Sequence, residues 1–417
     1  MLLQGFDKDF ERYAELIATH GLNVQPGQVV NITTEAIHRD VAMLIAEACY
    51  ERGAKFVDLD LDEPRAMKLR IEASQEDDLK FVPEYVTQKY TSIVEEQGAN
   101  LKLIGMEYPD LLTPLDPKKL NTVRLHRHLA MKYFYDEGVG KSKAHWCVAA
   151  AATPRWGQKV YPELGADEAY EKLWEAIFAL CRADRPACLD LWREHNETLQ
   201  SRGRKLTDLK IKELRFVGPG TDLTVGLSEK AIWKGGQETS TRGVDFEPNL
   251  PTEEVFTTPD YRLTQGHARA TRPFIINGKL IKDLSINFEN GVITDFKASQ
   301  GADTFEVYID SDEGGRRLGE VALVGIDSPV YRSGRVFQEI LFDENAACHI
   351  AVGQAYKFCL DGGTSMGQEE VEALGCNEST VHTDMMISSD DVDVVATTYG
   401  GEEKQLIAAG EWMGPYK

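Results

Sequence analysis

The segment Val381-His382-Thr383-Asp384-Met385-Met386-Ile387 reads as a β-strand, and alternate side chains on a strand share a face, so His382 and Asp384 point the same way. A neutral imidazole and a carboxylate at this spacing can hold one divalent ion without distorting the backbone. The same pattern also describes a surface His–Asp pair on an edge strand. A second histidine, His349, follows Phe342-Asp343-Glu344-Asn345-Ala346-Ala347-Cys348 and opens a run of small residues that leads to Tyr356. With Asp343 as its cap, this segment reads as a tightly packed helix. His349 and Tyr356, seven apart, then lie on one helical face. They are either core residues or a ligand and a phenol that binds a cation, the charge pulling the phenol pKa down from about 10.

Two carboxylate positions complete the set. Pro251-Thr252-Glu253-Glu254-Val255-Phe256-Thr257-Thr258-Pro259 places adjacent glutamates at the start of an extended segment, where only one can face inward. Leu318-Gly319-Glu320-Val321-Ala322-Leu323-Val324 places a lone glutamate at the mouth of an apolar strand. Solvated glutamates at strand starts are ordinary, but these fall in the same half of the chain as the histidines. A mixture of carboxylate, imidazole and phenol suits two divalent ions such as zinc, cobalt or manganese.

In this order and at these separations, the four segments resemble the thermophilic-type metallo-aminopeptidases, the family of aminopeptidase T and aminopeptidase S. The turn Gly218-Pro219-Gly220-Thr221-Asp222-Leu223 matches as well. The resemblance implies that Glu254, Glu320, His349, Tyr356, His382 and Asp384 bind a pair of divalent ions: zinc, cobalt, manganese or magnesium. It further implies an α/β first domain, a separate catalytic domain, and a homodimer whose sites face an internal cavity. Two ions about 3.5–4 Å apart can activate a water, polarise a peptide carbonyl and anchor the free amine of a peptide N-terminus. A neighbouring carboxylate would accept the proton of the water; Glu253, beside an expected ligand, is the candidate.

The elements that must carry these residues are legible in outline. Asp7 to His20 has Phe10, Tyr13, Leu16 and Ile17 on one face and Gly21 as its stop, which predicts an amphipathic helix. Strands are expected at Gln28–Ile32, Lys55–Leu59, Leu101–Gly105 and His145–Ala150, with a helix from His38 to Arg52 between the first two. This order predicts a parallel sheet covered by helices. Helices follow near Ala166–Arg182 and Pro186–Leu199. Near Ser201–Lys205 the pattern turns β-rich, with Asn277-Gly278 and Asn290-Gly291 each set between apolar runs as hairpin turns. The expected fold class is an α/β N-terminal domain with a parallel sheet (1–205), followed by a β-rich α+β catalytic domain (206–417).

Composition sets the outer bounds. With 46 Lys+Arg against 68 Asp+Glu, the net charge is −22, which argues against nucleic acid or anionic membrane as partner. Seven cysteines without a Cys-x-x-Cys pair fit reduced, buried thiols and a cytoplasmic protein. The expected activity is release of N-terminal residues from peptides. Its rivals are another two-metal hydrolase, such as an amidase or phosphoesterase, and a non-catalytic metal-binding scaffold.

Overall fold

The computed structural model describes residues 3–417, which divide into two compact units. The first contains the residues up to Asn196 together with Gln237–Thr252; the second contains Glu197–Gly236 and Glu253–Lys417. The expected change near residue 205 falls inside a helix, Cys188–Asp208, which runs on well past Leu199.

In the first unit, β1 (Val29–Glu35), β2 (Phe56–Asp62), β3 (Ala99–Ile104) and β4 (His145–Ala150) form a parallel sheet in the order β2-β1-β3-β4. Parallel neighbours need crossover connections, and the helix Arg39–Glu51 supplies the one between β1 and β2. The N-terminal helix Asp7–Leu16 buries Phe10 and Tyr13, whose rings meet Trp174 and Phe178 edge to face. The Tyr13 hydroxyl donates to the Ala150 carbonyl at 2.9 Å, so its ring is fixed against the end of β4.

The second unit holds two antiparallel sheets of four or more strands and a two-stranded ribbon, Phe274–Ile276 with Lys279–Ile281. The larger has eight strands, in the order Val292–Lys297, Ser285–Glu289, Gln265–Arg269, Thr221–Gly226, Ile211–Gly218, Asp393–Thr398, Glu403–Ala408 and Glu411–Trp412. Both Asn-Gly pairs form the expected hairpin turns, with positive φ at each residue: 53° and 78° at Asn277-Gly278, 50° and 78° at Asn290-Gly291. The smaller sheet contains β5 (Val255–Thr257), β6 (Leu318–Leu323), β7 (His349–Gly353) and β8 (His382–Met386), in the order β8-β7-β6-β5.

Strand β7 corrects one expectation. His349 opens a strand rather than lying on a helix with Tyr356. His349–Gly353 is buried on both faces, and a short, fully buried apolar run has no period by which strand and helix can be told apart. Helical turns lie on either side instead: Ile340–Asp343 and Glu344–Ala346 end before the strand begins, and Lys357–Cys359 follows Tyr356. Gly353 then turns the chain out of the sheet at φ 101°, where a Cβ would sit 2.0 Å from the Val381 carbonyl oxygen. Tyr356 comes back toward β8 through this turn. Among the described residues, no helix is long and apolar enough to cross a membrane. All seven cysteines are buried and free.

Candidate metal centre

The small sheet gathers the expected ligands on one face. Directly paired residues in an antiparallel sheet share a face, and the register aligns Phe256, Ala322, His349 and Met386 in one row. The next row aligns Glu320, Ala351 and Asp384, and beyond it Gly353 pairs with His382. Glu254 precedes β5 in step with Phe256. The residues between the polar ones are small: Ala322, Ala351 and Gly353. They leave the volume above the sheet to the ionisable side chains.

Those side chains converge. His349 Nε2 lies 3.0 Å from Glu254 Oε2, 3.8 Å from Glu320 Oε1 and 3.8 Å from Asp384 Oδ1. His382 Nε2 lies 3.4 Å from Glu320 Oε2 and 3.6 Å from Asp384 Oδ1. The Tyr356 hydroxyl is 3.5 Å from the same nitrogen. Two donor triads result, Glu254/Glu320/His349 and Glu320/His382/Asp384, with Glu320 common to both. Glu254, Glu320, Asp384 and His349 are all buried.

The other ring nitrogens settle the tautomers. His349 Nδ1 faces the Ala347 carbonyl at 3.2 Å, and His382 Nδ1 faces the Gln354 carbonyl at 2.8 Å. A carbonyl only accepts, so each Nδ1 carries its hydrogen and each Nε2 turns toward the carboxylates. This is the backbone-anchored orientation of metal-binding histidines. Glu254 Oε2, although close to His349, lacks a hydrogen-bond partner and is buried. Unneutralised carboxylates are costly to bury, so this donor set suits divalent cations.

The protein's own charges show the same demand. Burial disfavours charge on His349 and His382, yet the surrounding carboxylates outweigh it and hold both imidazoles well above their ordinary pKa. Glu320, despite burial, is pulled down to about 2 by its interactions with both histidines. Glu254 is pushed up by burial, with His349 opposing. Burial and then the Glu320 charge push the Tyr356 phenol well above its usual value, so the downward pull expected at that hydroxyl would have to come from bound cations.

Six of the seven expected site residues thus stand together, and Glu253 stands apart from both triads. Its backbone N–H donates to Asn345 Oδ1 at 2.6 Å, and its charge acts on Arg202. Sequence reading missed Glu344. This residue lies on the turn before β7, buried, where its charge meets those of Glu254 and Asp384. Its pKa is pushed well up by burial and then by these two carboxylates. The run Asp343-Glu344-Asn345 ahead of a buried strand was the available signal, but the helical reading assigned it to a cap. Cys348, next to His349 on the strand, faces the other way and packs with its Sγ against Val324.

Comparison with known proteins places the whole chain. The sequence profile of the thermophilic metalloprotease (M29) family matches residues 6–412. Aminopeptidase 2 of Geobacillus stearothermophilus is 37% identical over 407 residues, covering 98% of each chain. Aminopeptidase PepS of Streptococcus thermophilus is 33% identical over 414 residues, covering 99% of this chain and 100% of that one. The solved structure of wild-type AmpT from Thermus thermophilus superposes with a TM-score of 0.90 at 36% identity, covering 98% of this chain and 100% of its own.

Proposed function

This chain belongs to the thermophilic metalloprotease (M29) family, and on that premise we propose that it releases N-terminal residues from peptides with the help of two divalent ions. The observation that carries the reading is the pair of triads sharing Glu320, each with a backbone-anchored imidazole facing buried carboxylates. Glu254 and His349 would hold one ion, His382 and Asp384 the other, and Glu320 both, with Tyr356 beside His382. Bound there, the ions would supply Lewis-acid polarisation of a peptide carbonyl and acidify a water.

The chain's own residues account for the preference for a free N-terminus. A peptide α-amino group is cationic, and the centre presents Glu254, Glu320, Glu344 and Asp384 to it. Phe256, Tyr356 and Phe358 form an aromatic wall beside the centre, Tyr356 and Phe358 stacked 5.0 Å apart and the Tyr356 ring 5.2 Å from that of His382. The metals are zinc, cobalt, manganese or magnesium in this reading. The active protein is a homodimer, a proposal supported by the family resemblance, and a cytoplasmic setting is supported by seven free, buried thiols.

The test pairs metal analysis of the purified protein with a panel of free and N-acetylated peptides. About two ions per chain and cleavage confined to the free peptides are expected. Equal cleavage of free and acetylated peptides would overturn the exopeptidase reading, and full activity in metal-free protein would overturn the metal reading. Light scattering at twice the chain mass is the expected result for the dimer.

A further inference from the structure

The outer edge of the small sheet carries two of the expected ligands. β8 is its edge strand, and the pairing with β7 divides the residues of β8 into two kinds. Ile387 donates its N–H to the Cys348 carbonyl at 2.9 Å, and the Val381 carbonyl accepts from the Gln354 N–H at 2.7 Å. Peptide groups alternate along a strand, so Thr383 and Met385 are the residues between these that bond to β7. His382, Asp384 and Met386 turn their N–H and C=O groups outward, where an edge strand has no ladder partner. Met386 finds one in the Thr271 N–H, which donates to its carbonyl at 2.8 Å.

At His382 a single side chain closes both groups. The Tyr308 hydroxyl accepts from the His382 N–H at 3.1 Å and donates to the His382 carbonyl at 2.8 Å. A phenol has one hydrogen and free lone pairs, so it can do both at once. Tyr308 sits on the helix Ala302–Ile309, whose Phe305 and Ile309 are fully buried in the core of the second unit, and its own ring packs against that core. The turn after this helix grips the approach to β8 as well. The Asp312 carboxylate accepts from the Thr380 N–H at 2.6 Å and from the Ser379 hydroxyl at 2.8 Å. Tyr308 thus fixes the His382 backbone, while the Gln354 carbonyl fixes its ring through Nδ1 at 2.8 Å. With both held, Nε2 faces Glu320, Asp384 and the Tyr356 hydroxyl, all within 3.6 Å.

We propose that Tyr308 is a positioning residue of the metal centre, its hydroxyl holding the His382 peptide so that the imidazole meets the ion it would share with Glu320 and Asp384. The inference rests on the two-ion reading above. Tyr308 stands outside both donor triads and makes or breaks no bond in the reaction. Its effect passes through His382, as that of a residue behind a metal-binding histidine does. A phenol that merely covered an open strand edge would stabilise the chain and leave ion binding alone, so the two roles separate by measurement.

The test is Tyr308→Phe, which keeps the ring and its packing and removes one oxygen. Zinc is titrated calorimetrically into the chelated full chain for wild type, Tyr308→Phe, His382→Ala and the double variant. Wild type is expected to bind two ions, and Tyr308→Phe to bind one of them roughly 10- to 100-fold more weakly and the other unchanged. The binding step missing from His382→Ala should be that same one, and adding Tyr308→Phe there should weaken the remaining ion no further. Wild-type affinity for both ions in Tyr308→Phe overturns the proposal, even where the urea midpoint falls. An equal loss in the His382→Ala background overturns it too, since the hydroxyl would then act without the imidazole. Failure of the metal reading is distinct: wild-type protein that binds no zinc overturns that reading and the proposal together. Should Tyr308→Phe not fold, hydrogen exchange of the wild-type chelated protein decides. The His382 amide is expected to be protected like the ladder amides of Thr383 and Met385, and exchange at the rate of an open edge amide overturns the proposal.

Discussion

Ala351→Val tests whether the small residues on the sheet are what allow the two triads to form. Ala351 is fully buried and pairs directly with Glu320 on one side and Asp384 on the other. Valine adds two methyl groups to this face and is the better strand former, so backbone propensity cannot explain a loss. The added volume enters the space between the flanking Glu320 and Asp384 carboxylates. Overpacking of this kind costs about 1–3 kcal/mol of stability. Metal affinity should fall further than stability alone would require, because Glu320 serves both triads; a tenfold loss corresponds to about 1.4 kcal/mol. Calorimetric titration of the chelated protein with zinc or cobalt reads the affinity, and urea unfolding in the presence of chelator reads the stability. Val352→Ala, on the opposite face, is expected to lower the urea midpoint and spare the affinity. Wild-type affinity and turnover in Ala351→Val would refute the argument that this alanine makes room for the site.

Tyr356→Phe should lower metal affinity or turnover while the fold survives; a hydroxyl that only packs would instead cost about 1–2 kcal/mol of stability and leave the metals in place. Chelation is expected to abolish activity and leave the circular dichroism spectrum nearly unchanged, because the raised pKa values of His349 and His382 let protons supply the compensating charge; loss of most secondary structure would contradict this. In the first unit, burial pushes His38 from 6.5 down to about 4 in the folded state, with Nδ1 bound to Thr34 and Nε2 buried without a partner. The unfolded chain therefore binds more protons between these values, and stability should fall as pH drops through that window, by roughly 3 kcal/mol; His38→Gln should flatten the dependence, and an unchanged slope in urea midpoints would refute it.

The candidate ligands were legible where the pattern was local. His382 and Asp384 sit on one strand whose alternation is self-contained, and the β5 glutamates announce by the same rule that only one can face inward. The identity of that one, Glu254, depends on β6 pairing beside it, which no local pattern states. His349, expected as a ligand, lies in the cluster but was housed in the wrong element. Its strand is covered on both faces and filled with Ala, Val and Gly, so the polar positions that give a strand its period are missing. Glu344 was invisible because turns are placed by contacts distant in sequence, here with Ser328 and Glu253. The parallel sheet of the first unit was easier, since each strand is followed by punctuation that breaks the apolar run.

The assignment of Gln237–Thr252 to the first unit has a consequence for how this chain can be divided or inherited. The polypeptide changes unit three times, after Asn196, after Gly236 and after Thr252. A gene cut at any single point leaves at least one half without a piece of its own structure, so no single cut yields two self-sufficient halves. To move the first unit alone, a fusion or exchange would have to break the chain at all three crossings. The last crossing also falls two residues before Glu254, so a graft that disturbed it would reach the chemistry at once.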